Sequence, residues 1–177
     1  MITPVPGTMA KDSFFIRKTV NTEKDNSYHE DDWDIGAFVN ASDGTILRIL
    51  GVQVMWSDST GRSVGIQGND SAVSQWQLLT QTQNDIVLAS DKAVIATGRV
   101  NAFNDQGLAH LPSGVSEALD LNPINYRNGY LVAVETLYLG GSSTVEWTSN
   151  QHVTIILECV TEKMTSKSAM ALSLSQQ

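Results

Sequence analysis

Five residues, GRSVG at positions 61–65, match the G-x-S-x-G pattern in which a serine is presented as a nucleophile. That chemistry needs Ser63 on a sharp turn from a strand into a helix, with an aspartate and a histidine later in the chain to orient and relay its proton. The surrounding SDSTGRSVGIQGND is rich in Gly, Ser, Asp and Asn, the composition of a connection between strands. A helix opening at Asp70 begins too late to follow the elbow. His110 and His152 do lie downstream, one in a long connection and the other at the start of a strand, and the residues do not favour a hydrolase.

The acidic run HEDDWD at positions 29–34 offers hard oxygen ligands, so Glu30, Asp31, Asp32 and Asp34 are weak candidates for Ca²⁺. It lacks the glycine-bearing D-x-D-x-D-G spacing of an EF-hand loop and reads as a solvated acidic loop. The three histidines are far apart, with neither H-x-H nor H-E-x-x-H spacing, whereas a β-barrel metal enzyme of the cupin kind would show clustered ligands. No cofactor is expected. Trp33, Trp56, Trp76 and Trp147 could make a sugar-stacking platform, but Trp56 and Trp147 end apolar strands and read as core or rim packing. The Asn40 and Asn69 sequons read as chance matches, and no phosphate-cradling glycine loop appears.

These residues sit in a chain of 177 residues, the size of one domain that buries roughly two thirds of its unfolded surface. It needs no disulfide, and the single cysteine, Cys159, falls in the apolar run 153–160 as a buried inert thiol. The formal charge is −8, and the 11 Lys and Arg residues are scattered. No basic stripe exists to release counterions from phosphates, so direct nucleic-acid binding is not expected. MITPVPGTMAKDSFF has neither the basic nor the apolar region of a secretory signal, and no apolar run approaches the roughly 18 residues of a membrane span. The expectation is a soluble, unprocessed chain.

The dominant period is two. TILRILGVQVMWS places Ile46, Arg48, Leu50, Val52, Val54 and Trp56 on one face, opposite Leu47, Ile49, Gly51, Gln53 and Met55, with Asp43 and Gly44 before it as a hairpin signal. NDIVLAS, AVIATGRVNAF, STVEW and QHVTIILECV read as further strands, with DSFFIRKTV and DIGAFVN near the start. Gly140, Gly141, Ser142 and Ser143 read as a turn. DSAVSQWQLLTQ admits two readings, a short helix with Val73, Trp76 and Leu79 on one side or a strand aligning Trp76, Leu78 and Thr80. Residues 101–129 read as a long connection with one helical turn near Val115 to Leu119, and loops of that length usually serve function or an interface. The tail TSKSAMALSLSQQ is either a short helix or an extended arm. About eight strands with short connections and one or two short helices give an all-β, antiparallel sandwich or barrel.

GYLVAVETLYLGG, residues 129–141, poses a question about what covers it. Read as one strand, it lines Tyr130, Val132, Val134, Thr136 and Tyr138 on one face and Leu131, Ala133, Glu135, Leu137 and Leu139 on the other, and neither face is polar. Glu135 is joined by Arg48 and Glu158 as charges within apolar strands, and a buried lone charge must be paired, neutral or at a wet boundary. Arg48 could pair with one of the carboxylates. The alternative is that a face of this sheet packs on a neighbouring subunit. Neither chain end carries much apolar surface, so an assembly is expected to hold both. The expected contact surface comprises Arg48, Tyr130, Glu135, Tyr138 and Glu158, His110 and Leu111 of the long connection, and the two ends.

With about eight strands, an extended segment before DSFFIRKTV, the insertion at residues 101–129 and a short tail after TIILECVTEKM, the chain resembles a small viral capsid protein of the single jelly-roll type. The resemblance spans residues 1–177 as one domain and rests on architecture. It implies an antiparallel β-sandwich of jelly-roll type forming pentamers or hexamers in an icosahedral virion shell, assembled in the host cytoplasm. The implied partners are other copies of the chain and a second capsid or minor virion protein. An internal membrane close to the shell would suit the acidic charge. A trimeric decoration or spike protein of a virion would use the same fold. From another class, a carbohydrate-binding β-sandwich module predicts a monomer with Trp33 or Trp76 exposed to stack on sugar.

Overall fold

A computed structural model describes residues 12–107 and 112–177. His110, Leu111 and the segment before Asp12 lie outside the described residues. Among the described ones, the strands are β1 (Phe14–Glu23), β2 (Tyr28–Asp34), β3 (Thr45–Ser57), β4 (Ser71–Leu79), β5 (Val94–Phe103), β6 (Gly114–Leu121), β7 (Tyr130–Val132), β8 (Thr136–Ser143) and β9 (Gln151–Lys163). One helix, α1 (Ser166–Ser175), follows, and short 3-10 turns occupy Ala41–Asp43 and Pro123–Asn125.

The strands form two antiparallel sheets ordered β1-β9-β3-β7 and β2-β8-β4-β5-β6. The chain changes sheet at each step from β1 to β4 and again from β6 to β9. With β6 set aside as an added edge, four strands lie on four in the winding of a jelly roll. The main core fills the space between the sheets, with Leu47, Ile49, Val153, Ile155, Leu157 and Cys159 meeting Trp76, Leu78, Leu137 and Leu139.

Trp76 sets the spacing of the second sheet. It pairs with Gly141 on β8 and Gly98 on β5, so its indole lies beside two strands that carry no side chain at that level. A Cβ on Gly98 would come 2.7 Å from Trp76 Nε1, and one on Gly141 would come 2.5 Å from the Gln75 carbonyl. Tyr28 uses Gly140 in the same way from another direction, its hydroxyl lying 2.0 Å from where a Cβ would be. The run Gly140 to Ser143 is therefore strand rather than turn: Gly140 makes room for Tyr28, and Gly141 for the close approach of the Gln75 carbonyl and Thr22.

Residues 129–141 are not one strand. β7 pairs with β3 in the first sheet and β8 pairs with β4 and β2 in the second, with residues 133–135 crossing between them. Both faces are apolar because the two halves face the core from different sheets. Glu135 sits in the crossover, exposed, and no buried charge has to be compensated. The Ile35 amide donates to its carbonyl at 2.8 Å.

A bulge resets β3. Its register with β9 steps from Ile49 opposite Cys159 to Gly51 opposite Glu158, leaving Leu50 unopposed. Leu47 and Ile49 point to the core before the bulge, and Val52, Val54 and Trp56 do so after it. The uninterrupted alternation expected for this strand is thus corrected at Leu50.

Several other expectations change. DSAVSQWQLLTQ is strand β4, and HEDDWD falls within edge strand β2 rather than in a loop. Charges at both alternating positions hide its period, and an acidic edge also resists unwanted pairing. DIGAFVN, NDIVLAS and STVEW are irregular apart from Asp34 at the end of β2, Ser143 at the end of β8 and single bridges at Asn40 and Trp147, although Ile35 and Val39 are fully buried. Residues 101–129 hold β6 and a 3-10 turn, so the helical turn expected near Val115 to Leu119 is strand, and this stretch is not one long loop.

The outer face of the first sheet is partly covered by the chain itself. The tail is helix α1, capped by the Thr165 hydroxyl on the Ser168 amide, and Ala169 packs with Ile46, Ala41 and Ala133. Gln176 completes the docking, accepting from the Ala133 amide at 2.9 Å and donating to the Leu131 carbonyl at 2.7 Å. The tail therefore docks on its own domain, against expectation, through Ala169, the half-buried Met164 and Leu172, and the Gln176 amide side chain.

Further along, Asn122 stands in for a missing strand. Its side chain accepts from the Val52 amide at 3.2 Å and donates to the Val52 carbonyl at 3.0 Å, and it also accepts from the Ile124 amide. Asn122→Ala would leave these buried groups unmatched, at a cost of about 1–3 kcal/mol in unfolding free energy. Urea titration of the two chains at neutral pH checks this.

Candidate assembly surfaces

What α1 and Ile124 leave open on the first sheet is a shallow apolar area. On β1, Phe15, Arg17 and Thr19 face outward, opposite Glu158, Ile156 and Thr154 of β9, which are in turn opposite Gly51, Gln53 and Met55 of β3. Phe15 is 50%, Met55 59% and Ile124 68% exposed, and Ile156 is half-buried between them. Ile124 lies over Gly51, where a Cβ would be 3.6 Å away. The Thr19 and Thr154 hydroxyls are 2.7 Å apart, and Ser13 donates to Glu158 at 2.8 Å. The area therefore carries apolar side chains, one cation at Arg17, one carboxylate at Glu158 and self-satisfied hydroxyls.

The residues expected at the contact surface do not share one face. Arg48 and Glu158 both project from the outer side of the first sheet, but Arg48 is engaged by Glu162, with Nε–Oε1 2.6 Å and Nη2–Oε2 2.8 Å, and by the Asn128 carbonyl. Its partner is neither Glu135 nor Glu158, which corrects the expected pairing. Tyr130 packs inward on the main core. Tyr138 packs with Leu79, Ala93 and Val94 on the opposite sheet, and it shares a groove with Glu135 and Met170. Signals for the patch that does form were present in the sequence as alternate apolar residues of β1, β3 and β9. The bulge at Leu50 decides which of them face out.

The acidic candidates do not converge on a cation. Along β2 they alternate sides, Glu30 and Asp32 on one and Asp31 on the other. Glu30 accepts from Tyr28 at 2.6 Å and Thr82 at 2.6 Å, Asp31 lies 3.8 Å from Lys18 Nζ, and Asp34 accepts from the Gly36 amide. What the structure does bring together is Glu23, Asp25 and His29, within 4.8 Å of one another. The Ser27 amide and then the His29 ring hold Asp25 below the ordinary carboxylate value.

Ser63 is not followed by a helix; Asp58 folds its loop by accepting from the Thr60 and Arg62 amides. Trp76 is 1% exposed, and Trp33 packs against the main core, so neither forms an open stacking platform.

Over the outer face of the second sheet, Gln77 holds the loop before β5. It donates to Tyr28 Oη and the Asp85 carbonyl, both at 2.9 Å, and accepts from the Val87 amide at 3.0 Å. Burial, and then the hydrogen bond to Glu30, push the Tyr28 phenol above its ordinary 10.0. Burial likewise pushes the Cys159 thiol from 9.0 to about 12. A raised folded pKa contributes stability that is complete below the unfolded value and is lost as pH rises toward the folded one. Stability is therefore expected to fall progressively from pH 9 to about 12. Urea midpoints across this range would be flatter for Cys159→Ala, most of all between pH 9 and 10, where the unfolded thiol titrates ahead of the buried tyrosines Tyr28 and Tyr130.

The sequence matches no protein-family model and no curated protein. Among solved structures, it is similar to the unassembled pentamer of Merkel cell polyomavirus VP1 at 8% identity and TM-score 0.35, covering 92% of this chain and 98% of that one. It is also similar to a chain of Desmodium yellow mottle tymovirus at 9% identity and TM-score 0.25, covering 93% and 98%. A third likeness, at 13% identity and TM-score 0.19, is to a capsular polysaccharide depolymerase, the tailspike gp49 of Acinetobacter baumannii bacteriophage Fri1, covering 86% of this chain and 20% of that one. At such identities and scores the likeness adds nothing to the strand order, from which the fold is read.

Proposed function

We propose that this chain is a structural subunit of a virion that packs against copies of itself, a capsid subunit of an icosahedral virus or phage. The carrying observation is the outward patch of Phe15, Met55, Ile124 and Ile156 on a jelly-roll sheet. A chain of formal charge −8 repels its copies over most of its surface, so association favours an area light in charge that carries its own cation. Arg17 and Glu158 flank the apolar residues and can pair across a contact made by two copies of the same patch. The same patch would serve a trimeric decoration or spike protein. A glycan-binding module is disfavoured by the burial of Trp76.

Native mass by analytical ultracentrifugation with negative-stain microscopy tests the reading. Pentamers, hexamers or shells support a capsid subunit, whereas trimers support the decoration or spike role. A chain that stays monomeric at high protein concentration overturns both.

A further inference from the structure

The first sheet stops short on one side. β7 has three residues and pairs only with Leu47, Arg48 and Ile49 of β3, so among the described residues the later half of β3 has no strand beyond it. In an antiparallel ladder, successive residues send their amide and carbonyl to opposite sides. Val52 directs both to Asn122, away from β9. With no further register shift, Val54 and Trp56 direct theirs the same way. Among the described residues, neither appears in any backbone pairing outside the β3–β9 ladder.

Beside this edge lies a cleft of about 390 Å³ lined by Val54, Trp56, Val100, Val115, Trp147 and Gln151, with Glu117 also on its wall. Two of its lining side chains hold buried polar atoms with no partner among the described residues, the donor Trp56 Nε1 and the acceptor Gln151 Oε1. Gln151 is only 2% exposed. A buried donor and acceptor left unmatched beside an open strand edge call for a ligand that supplies both, and a polypeptide backbone does so at every residue. Asn122 already shows the edge taking that pattern from an amide group at Val52.

We infer that the cleft between β3 and β6 binds an extended segment of another polypeptide as an added strand continuing the line of β7. The segment would be apolar at alternate positions facing Val100 and Val115. A basic residue near Glu117 is favoured by that carboxylate and by the charge of −8. Main-chain bonds to Val54 and Trp56 would give affinity and the cleft would select side chains, as in other strand-addition sites. This site is on the opposite side of β3 from β9 and does not depend on the proposed assembly.

The test is a selection of displayed random seven-residue peptides on the full-length chain, followed by amide exchange with a selected peptide bound. Enriched peptides alternating in apolar residues, protection of the Val54 and Trp56 amides, and loss of at least tenfold in affinity on N-methylation of alternate peptide bonds are the expected results. Val54→Pro removes the outward donor without a bond to β9 and should abolish binding, and Trp56→Phe keeps the ring while removing Nε1 and should weaken it. If the Pro variant fails to fold, the N-methylated peptides still decide. Peptides that protect other amides, or that tolerate N-methylation, overturn the inference, as does a selection without enrichment. So does protection of Val54 and Trp56 in the free chain, which would mean that the chain or a second copy already fills the edge.

Discussion

Trp76→Ala should lower the unfolding free energy by about 3–5 kcal/mol, the range for truncating a fully buried large aromatic. The expectation is at the upper end because the site cannot close. The strands on either side present Gly141 and Gly98 at this level, so no neighbouring side chain can swing into the space. The backbones that would have to approach are held by their own ladders on both sides of β4. The reverse change is also costly: Gly98→Val would drive a side chain into both the indole and the Ala118 carbonyl, each 2.7 Å from a Cβ there. Overpacking of that kind costs about 1–3 kcal/mol. Combining the two in a double-mutant cycle separates a shared cause from two unrelated losses. If the tryptophan and the glycine serve one packing arrangement, the valine costs less once the indole is gone. Equilibrium urea unfolding of the four chains gives the coupling directly.

Ile156→Glu should disrupt self-association by roughly a hundredfold or more in association constant, since the central apolar residue of the proposed patch would become a carboxylate that engages the cross-strand Arg17, the cation otherwise free to pair across the contact, and adds charge beside Glu158. The substitution is conservative for the monomer because the side chain projects from the outer face of β9, between Arg17 and Gln53, rather than into the core. Leu88→Glu is the control. Leu88 is 80% exposed but lies in the loop that Gln77 holds over the opposite sheet, and its substitution should leave the particle mass unchanged. Sedimentation velocity of both variants at matched concentrations checks the pair. Disruption by Leu88→Glu instead would move the contact to the other sheet.

Much of the fold was legible because burial on one side of a strand leaves a period of two. β1, β3, β5 and β9 appear in that pattern, and the apolar surroundings of Cys159 announced its burial. Where the pattern failed, a local physical cause can be named. β2 was masked by carboxylates at alternating positions on a sheet edge where water reaches them. Residues 136–143 looked like strand followed by turn because Gly140 and Gly141 read as flexible, when Gly140 is the space for Tyr28 and Gly141 admits the close approach of the Gln75 carbonyl and Thr22. The tail gave weak evidence of docking because only Ala169 among its apolar residues is fully buried, with Met164 and Leu172 half-covered beside it and a glutamine amide completing the contact.

The candidate surface was less legible for a related reason. Glu135 drew attention as a charge inside an apolar run, but the run changes sheet around it. Arg48 drew attention as a possible partner for it, but β9 carries Glu162 to within 2.6 Å. Alternation and composition depend on near neighbours in the chain, so residue order alone established an antiparallel all-β protein with an acidic surface and a buried thiol. Which strands share a sheet, where the bulge at Leu50 turns one face into the other, and which half of β3 has one side open among the described residues depend on contacts between residues tens to more than a hundred positions apart. Those contacts form only when the two sheets close on each other, and so the outward patch and the open edge belong to the folded chain.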